Sequence, residues 1–158
     1  MHASPTPQYK RILVPTDGSD GAHIAAEAAA QLAVISGGRL IALRVLPPET
    51  ADAEYLGISG MAGLAPLEAA IIDMPPSGGA DAALAAIEGV ARRHGVPIDS
   101  ELVIDAKPAR AIAETAENRQ CDLIVMASGG YDTALALLTG STTAKVVSEC
   151  AVPVLVVH

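Results

Sequence analysis

Residues 10 to 48 read KRILVPTDGSDGAHIAAEAAAQLAVISGGRLIALRVLPP, and the fold follows from how this stretch divides. Ile12-Leu13-Val14 is a short apolar run halted by Pro15 and the turn-rich Asp17-Gly18-Ser19-Asp20, which predicts a first strand. Ser19 or Asp20 then supplies an N-cap. Ile24, Ala28, Leu32 and Ile35 recur at four- and three-residue steps up to Gly37-Gly38, the pattern of a helix closed by glycine. Leu40 to Leu46 is a second apolar run, ended by Pro47-Pro48 because proline continues neither a ladder nor a helix there. Strand, helix, strand in this order is a parallel crossover.

Outward from that unit the alternation continues. The stretch from Pro47 to Gly79, rich in proline and glycine, predicts a mobile connection with a helical turn around Leu67 to Ile72. Asp81 is expected to cap a helix whose inner face is Leu84, Ile87 and Ala91 and which ends at His94-Gly95, before a third strand over Ile98 to Ile104. Pro108 stands where a first helical residue would, and Ile112, Ala113 and Ala116 give a narrow stripe before Asn118. Leu123 to Ala127 is apolar without alternation, as in a strand covered on both faces. A last helix from about Ser141 to Glu149 is expected to turn Ala144, Val147 and Cys150 inward, and Val152 to Val157 closes the chain. The expectation is an α/β domain over residues 10–158 behind a flexible tail of residues 1–9. Its core would be a single doubly wound open sheet of five mainly parallel strands with helices on both faces. In such sheets ligands sit at the carboxyl ends of the strands, near the switch in strand order.

Composition narrows the class. Apolar residues are 51% and charged residues 18% of the 158, which is incompatible with a disordered chain and leaves room for one core. With three Tyr, no Phe and no Trp, that core is built from Ala, Val, Leu and Ile, and base stacking on aromatics is excluded as a binding mode. A formal charge of −8 has the wrong sign for nucleic acid or an anionic membrane surface. No stretch of 18 uncharged apolar residues appears and the N-terminus has no apolar leader, so a cytoplasmic, unexported protein is expected. Cys121 and Cys150 read as small buried apolar residues. His2, His23, His94 and His158 are scattered without metal-ligand spacing and read as surface residues. Asp105 and Asp122 border strands, where they end or cap turns. No general base or nucleophile emerges, so no metal site and no catalytic residue is expected.

Two loops carry recognisable chemistry. The first is Ala127-Ser128-Gly129-Gly130, nine residues, then Gly140-Ser141-Thr142-Thr143 opening a helix. Glycines let the backbone approach an anion without a Cβ in the way, the helix N-terminus points free amides at it, and Ser141, Thr142 and Thr143 add hydroxyl donors. From the glycines alone, an ordinary turn followed by an N-cap reads equally well. The second loop is Pro15-Thr16-Asp17-Gly18-Ser19. A carboxylate there repels phosphate, so Asp17 suits a ribose hydroxyl, a base amine or a phosphate-bound Mg2+, or else it simply shapes the turn that caps the first helix.

Taken together these segments resemble the universal stress protein family over essentially the whole chain after the tail. The resemblance rests on Ile12-Leu13-Val14-Pro15-Thr16-Asp17-Gly18-Ser19, on Cys121-Asp122-Leu123-Ile124-Val125-Met126 with the Gly130-x9-Gly140-Ser141 loop, and on Val152-Pro153-Val154-Leu155-Val156-Val157. It implies an open sheet of the adenine-nucleotide alpha-hydrolase-like class and a homodimer. It further implies either an ATP-binding branch with a Gly-x2-Gly-x9-Gly-Ser/Thr loop or a branch that lacks the loop and binds no nucleotide. On the first branch, adenine and ribose fall near Pro15, Thr16, Asp17 and Val45, and the phosphates near Met126, Ala127, Gly129, Gly130, Gly140, Ser141, Thr142 and Thr143. The sequence departs from that pattern at Ala127, which replaces the first glycine, and at Gly129 and Tyr131, where basic side chains are expected. Lys145 is the nearest cation along the chain, one helical turn further on. Ser128 to Thr133 also spells the Ser-Gly-Gly-x-Asp-Ser/Thr signature of ATP pyrophosphatases, but there the loop follows the first strand and here the fourth.

The last strand, apolar on both faces and carrying Pro153, reads as a sheet edge available to a second chain. The expectation is therefore a homodimer joined through Val152 to Val157 that binds ATP or a related adenine nucleotide, alone or with Mg2+, as a stress sensor or switch. Slow hydrolysis would be incidental. The alternative is a dimeric protein-interaction scaffold without nucleotide.

Overall fold

The computed structural model describes residues 8–49, 80–128 and 142–158. Within them five strands alternate with helices: β1 (Arg11–Thr16), α1 (Asp20–Ser36), β2 (Arg39–Leu46), α2 (Ala80–His94), β3 (Ile98–Ile104), α3 (Pro108–Asn118), β4 (Leu123–Ala127), α4 (Thr142–Glu149) and β5 (Val154–Val157). The turn expected around Leu67 to Ile72 lies outside the described residues. The strands form one sheet in the order β3-β2-β1-β4-β5, with every neighbouring pair parallel. The chain therefore starts at the centre, winds outward through β2 and β3, and crosses to the other flank for β4 and β5. The order reverses between β1 and β4, where Ile12 stands opposite Leu123 and Leu13 opposite Ile124. Asp122 fixes that register, its carboxylate accepting the backbone N–H groups of Lys10 (2.7 Å) and Arg11 (3.0 Å).

Alternate residues of each strand feed two cores. Ile12, Val14, Leu40, Ala42, Leu123 and Val125 pack under α1 and α2, whereas Leu13, Ile41, Leu43, Ile124 and Met126 pack under α3 and α4. α1 starts as expected, with the Ser19 hydroxyl accepting the N–H of Ala22 at 3.2 Å, and ends on Gly37 in the left-handed conformation (φ 63°) that a Cβ disfavours. Its buried face overlaps the stripe that signals it in the sequence only in part: Ala28 and Leu32 pack partly buried against the core. Ala22, Ala25, Ala26, Ala29, Ala30 and Ala33 are buried, while Ile24 is 49% and Ile35 83% exposed. A face of methyl groups lets the helix lie close against the sheet and α2, and a branched side chain at those positions would overfill the interface.

Three local expectations are corrected. α2 already includes Ala80 and Asp81, so Asp81 stands inside its first turn rather than capping it; its inner face of Leu84, Ile87 and Ala91 is as expected. On α3, Ile112 and Ala116 are buried but Ala113 only partly. α4 buries Thr143 and Val146, leaving Ala144 exposed and Val147 53% exposed, because the Thr143 hydroxyl donates to the Ala127 carbonyl at 2.8 Å and so sets the rotation of this short helix. Cys121 is buried as expected, and burial, with the Asp122 charge beside it, pushes its thiol up to about 11. Cys150 is only partly buried. Asp105 ends its turn as expected, accepting the N–H of Lys107 at 2.8 Å. Among the described residues no helix is long and apolar enough to cross a membrane.

Candidate functional site

Where the strand order reverses, the carboxyl ends of β1, β2, β4 and β5 and the N-termini of α1, α3 and α4 surround a cleft of ≈ 700 Å3. A cleft of this size at a switch point accommodates a nucleotide-sized ligand. Leu43, Val45, Ile112 and Met126 form its apolar wall, with Ile24 at the α1 side.

The β1–α1 junction builds the polar wall by short-range hydrogen bonds. The Thr16 hydroxyl accepts the N–H of Gly18 at 3.1 Å, and Asp17 Oδ1 accepts the N–H of Ser19 at 2.9 Å. Gly18 takes φ 81°, which closes the turn. Around the Asp17 carboxyl, desolvation by the cleft walls acts upward. The hydrogen bonds from the Ser19 side chain and backbone outweigh it, helped by the Arg44 charge, so the group titrates below its ordinary value. Arg44 is a residue that sequence spacing did not place here. It lies opposite Thr16 in the β1–β2 ladder, its Nη1 reaches the Thr16 carbonyl at 3.5 Å, and its Nε is buried without a hydrogen-bond partner among the described residues.

The β4–α4 junction builds the facing wall by longer-range contacts. Thr143 is buried, and its hydroxyl proton goes to Ala127 rather than outward, so it is not a free donor as the sequence suggests. The Ala127 methyl, standing where the phosphate-loop pattern has glycine, is aimed at the first turn of α1: a Cβ added to Gly21 would come within 3.0 Å of it. The missing side chain of Gly21 thus makes room for the extra one at Ala127. Ser128 donates its N–H to the Val157 carbonyl at 3.0 Å, and its hydroxyl lies 3.0 Å from His158 Nδ1. His158, read from the sequence as a scattered surface residue, therefore lines the cleft. Only the fold reveals this, because β4 and β5 are brought side by side.

Of the residues singled out in the sequence, Pro15, Thr16, Asp17, Val45, Met126, Ala127, Thr142 and Thr143 all line this one cleft. Gly129, Gly130, Gly140 and Ser141 lie outside the described residues. Two other histidines converge elsewhere. His94 Nε2 lies 2.7 Å from Glu27 Oε2, His23 Nε2 lies 3.7 Å from Oε1, and Arg93 contacts the same carboxylate, so the cluster bridges α1 and α2. The hydrogen bond with His94 is the main reason that the Glu27 carboxyl titrates below its ordinary value, with the Arg93 charge adding to it.

The sequence profile of the universal stress protein family matches residues 8–158. The chain belongs to this family. It is 33% identical over 152 residues to the universal stress protein MJ0531 of Methanocaldococcus jannaschii, covering 94% of this chain and 82% of that one. It is also 33% identical over 150 residues to a universal stress protein of Thermus aquaticus encoded beside a sulfhydrylase gene, covering 95% and 99%. Among solved structures, a universal stress protein in complex with cAMP superposes with a TM-score of 0.69 at 27% identity, over 95% of this chain and 97% of that one.

Proposed function

We propose that this universal stress protein binds an adenine nucleotide, ATP or a close relative, in the cleft and acts as a nucleotide-responsive sensor or switch in the cytoplasm rather than as an enzyme. The observation that carries the reading is the convergence of the β1–α1 and β4–α4 junctions on a single cleft at the switch point. The structurally similar relative in complex with cAMP supports it. The residues fit such a ligand. Val45, Ile112 and Met126 offer an apolar surface for the base, and Thr16 and Asp17 offer polar groups for a ribose. Thr142, at the start of α4, stands where the phosphates meet the helix N-terminus. Gly129, Gly130, Gly140 and Ser141 join the site by their place in the motif. Among the described residues no group of three His, Cys, Asp or Glu side chains converges as a metal site. Any Mg2+ would enter on the phosphates and be met by Asp17.

The test is to denature freshly purified protein, identify any released nucleotide by mass, and titrate the stripped protein with Mg-ATP and with cAMP by calorimetry. Copurified nucleotide, or micromolar affinity lost in Asp17→Ala and Gly140→Val, is the expected result. No release and no heat up to millimolar nucleotide overturns the reading in favour of the nucleotide-free scaffold.

The partner half of the reading is a homodimer through Val152 to Val157. Among the described residues β5 pairs with β4 on one side only, and Leu155, on β5, is 38% exposed. An apolar edge of this kind favours addition of a strand from a second copy. A monomeric mass in light scattering at micromolar concentration would overturn it.

A further inference from the structure

The cleft has an unbalanced charge. Asp17 and Asp20 both line it, and among the described lining residues His158 is the one side chain of the Lys, Arg and His types. Residues 50–79 and 129–141, outside the described residues, contain no Lys, Arg or His. Of the other described cations nearby, Arg44 stands behind the polar wall with its Nη1 at the Thr16 carbonyl, and the rest belong to neighbouring elements and do not line the cleft. Lys145 is exposed on α4, Lys107 is exposed ahead of α3, and Arg110 is paired with Asp105 at 2.8 Å. Among the described lining residues a phosphate therefore meets two carboxylates and one imidazole.

That imidazole is seated. Ser128 and Val157 are tied by a backbone hydrogen bond of 3.0 Å, which brings the Ser128 hydroxyl to 3.0 Å from His158 Nδ1. With the imidazole neutral and Nδ1 unprotonated, the hydroxyl donates to it, and its proton is unavailable to a ligand. With the imidazole protonated, Nδ1–H donates to the hydroxyl oxygen. The Ser128 proton is then released outward, and Nε2–H stands as a second, charged donor. One protonation thus adds a positive charge and a free hydroxyl donor at the same end of the cleft.

We propose that the His158–Ser128 pair is the phosphate-gripping element of this site and that it makes nucleotide affinity rise as pH falls from about 8 to about 6. The proposal rests on the reading of the cleft as an adenine nucleotide site. It makes the phosphate grip conditional on protonation, which a lysine or arginine would not. Asp17 stays charged throughout that range, because its carboxyl titrates below the ordinary carboxylate value.

The experiment is calorimetric titration of the intact protein, its His158→Gln variant and its Ser128→Ala variant, at about pH 6 and about pH 8. The probes are cAMP and adenosine. The phosphodiester of cAMP keeps one negative charge at both pH values, so any slope belongs to the protein, and adenosine has no phosphate to grip. The expected result is cAMP binding about tenfold tighter at the lower pH, the size of one charge-assisted hydrogen bond. That gain should disappear in His158→Gln and shrink in Ser128→Ala, with adenosine indifferent to pH in all three proteins. Circular dichroism and an unchanged melting temperature establish that the variants are folded. If cAMP binds with no pH slope, or with a slope that survives His158→Gln, the role of His158 is overturned while the nucleotide site stands. If neither probe nor ATP binds up to millimolar concentration, the nucleotide reading falls and takes this proposal with it.

Discussion

The two junctions that face each other across the cleft are built in opposite ways. At β1–α1 the Thr16, Asp17 and Ser19 side chains each accept a backbone N–H two or three residues further on. At β4–α4 the defining contacts join Thr143 to Ala127 and His158 to Ser128, 16 and 30 residues apart. The first junction is organised by its own sequence, whereas the second exists only once the sheet has brought its parts together. A ligand between them would find one wall with its hydrogen bonds already closed locally and another whose donors depend on tertiary structure.

The largest expected effect comes from the point where the two junctions touch. Gly21→Val drives a branched side chain against the Ala127 methyl and should cost about 2–3 kcal/mol of stability by overpacking. Urea denaturation would measure it, and adding Ala127→Gly should restore part of the loss. Strict additivity of the two changes would show that the junctions are not in contact. Thr143→Val, which keeps the shape but leaves the Ala127 carbonyl without its donor, should cost about 1–2 kcal/mol in the same assay. An effect near zero would mean that α4 is positioned by packing alone.

The smallest effect is electrostatic and belongs to the local junction. The Asp17 carboxyl is held below its ordinary value in the fold and is ordinary in the unfolded chain. Its contribution is therefore fully present above about pH 4 and is lost as pH falls through the lowered value. Asp17→Asn should flatten that part of the acid limb of the stability curve relative to the native protein, with little change near neutrality beyond a constant offset. Parallel acid limbs in the two proteins would show that the Ser19 hydrogen bonds and Arg44 do not act on this carboxyl.

What could be read in advance follows the same division. Four of the strands are built on apolar runs bounded by proline, glycine or a turn cluster within a few residues, and β3 is marked by Ile98 and by Leu102-Val103-Ile104 around Asp99-Ser100-Glu101, so all five were legible, as were the Ser19 cap and the Gly37 stop. The faces of α1 and α4 were not. In α1 the signal came from Ile24, Ala28, Leu32 and Ile35, yet the close fit to the sheet and α2 selected the alanine face. In α4, Val146 and Val147 are adjacent, and the choice between them is made by the bond from Thr143 to Ala127. Arg44 and His158 escaped notice for a related reason. Their neighbours at the cleft, Thr16 and Ser128, are set by strand pairing rather than by spacing along the chain.

The anchoring of β1 by Asp122 bears on how the protein is made. The central strand is synthesised first, and its pairing with β2 needs only residues up to Leu46, but its other neighbour starts at Leu123. The carboxylate that accepts the Lys10 amide lies 112 positions later in the chain. At ribosomal speeds of about 5–20 residues per second, that separation corresponds to on the order of ten seconds of elongation. During this interval one flank of the apolar strand Ile12-Leu13-Val14 has no partner strand of its own. The tempo of translation, more than the intrinsic speed of strand pairing, then decides how long a nascent chain presents that edge to chaperones and to other copies of itself.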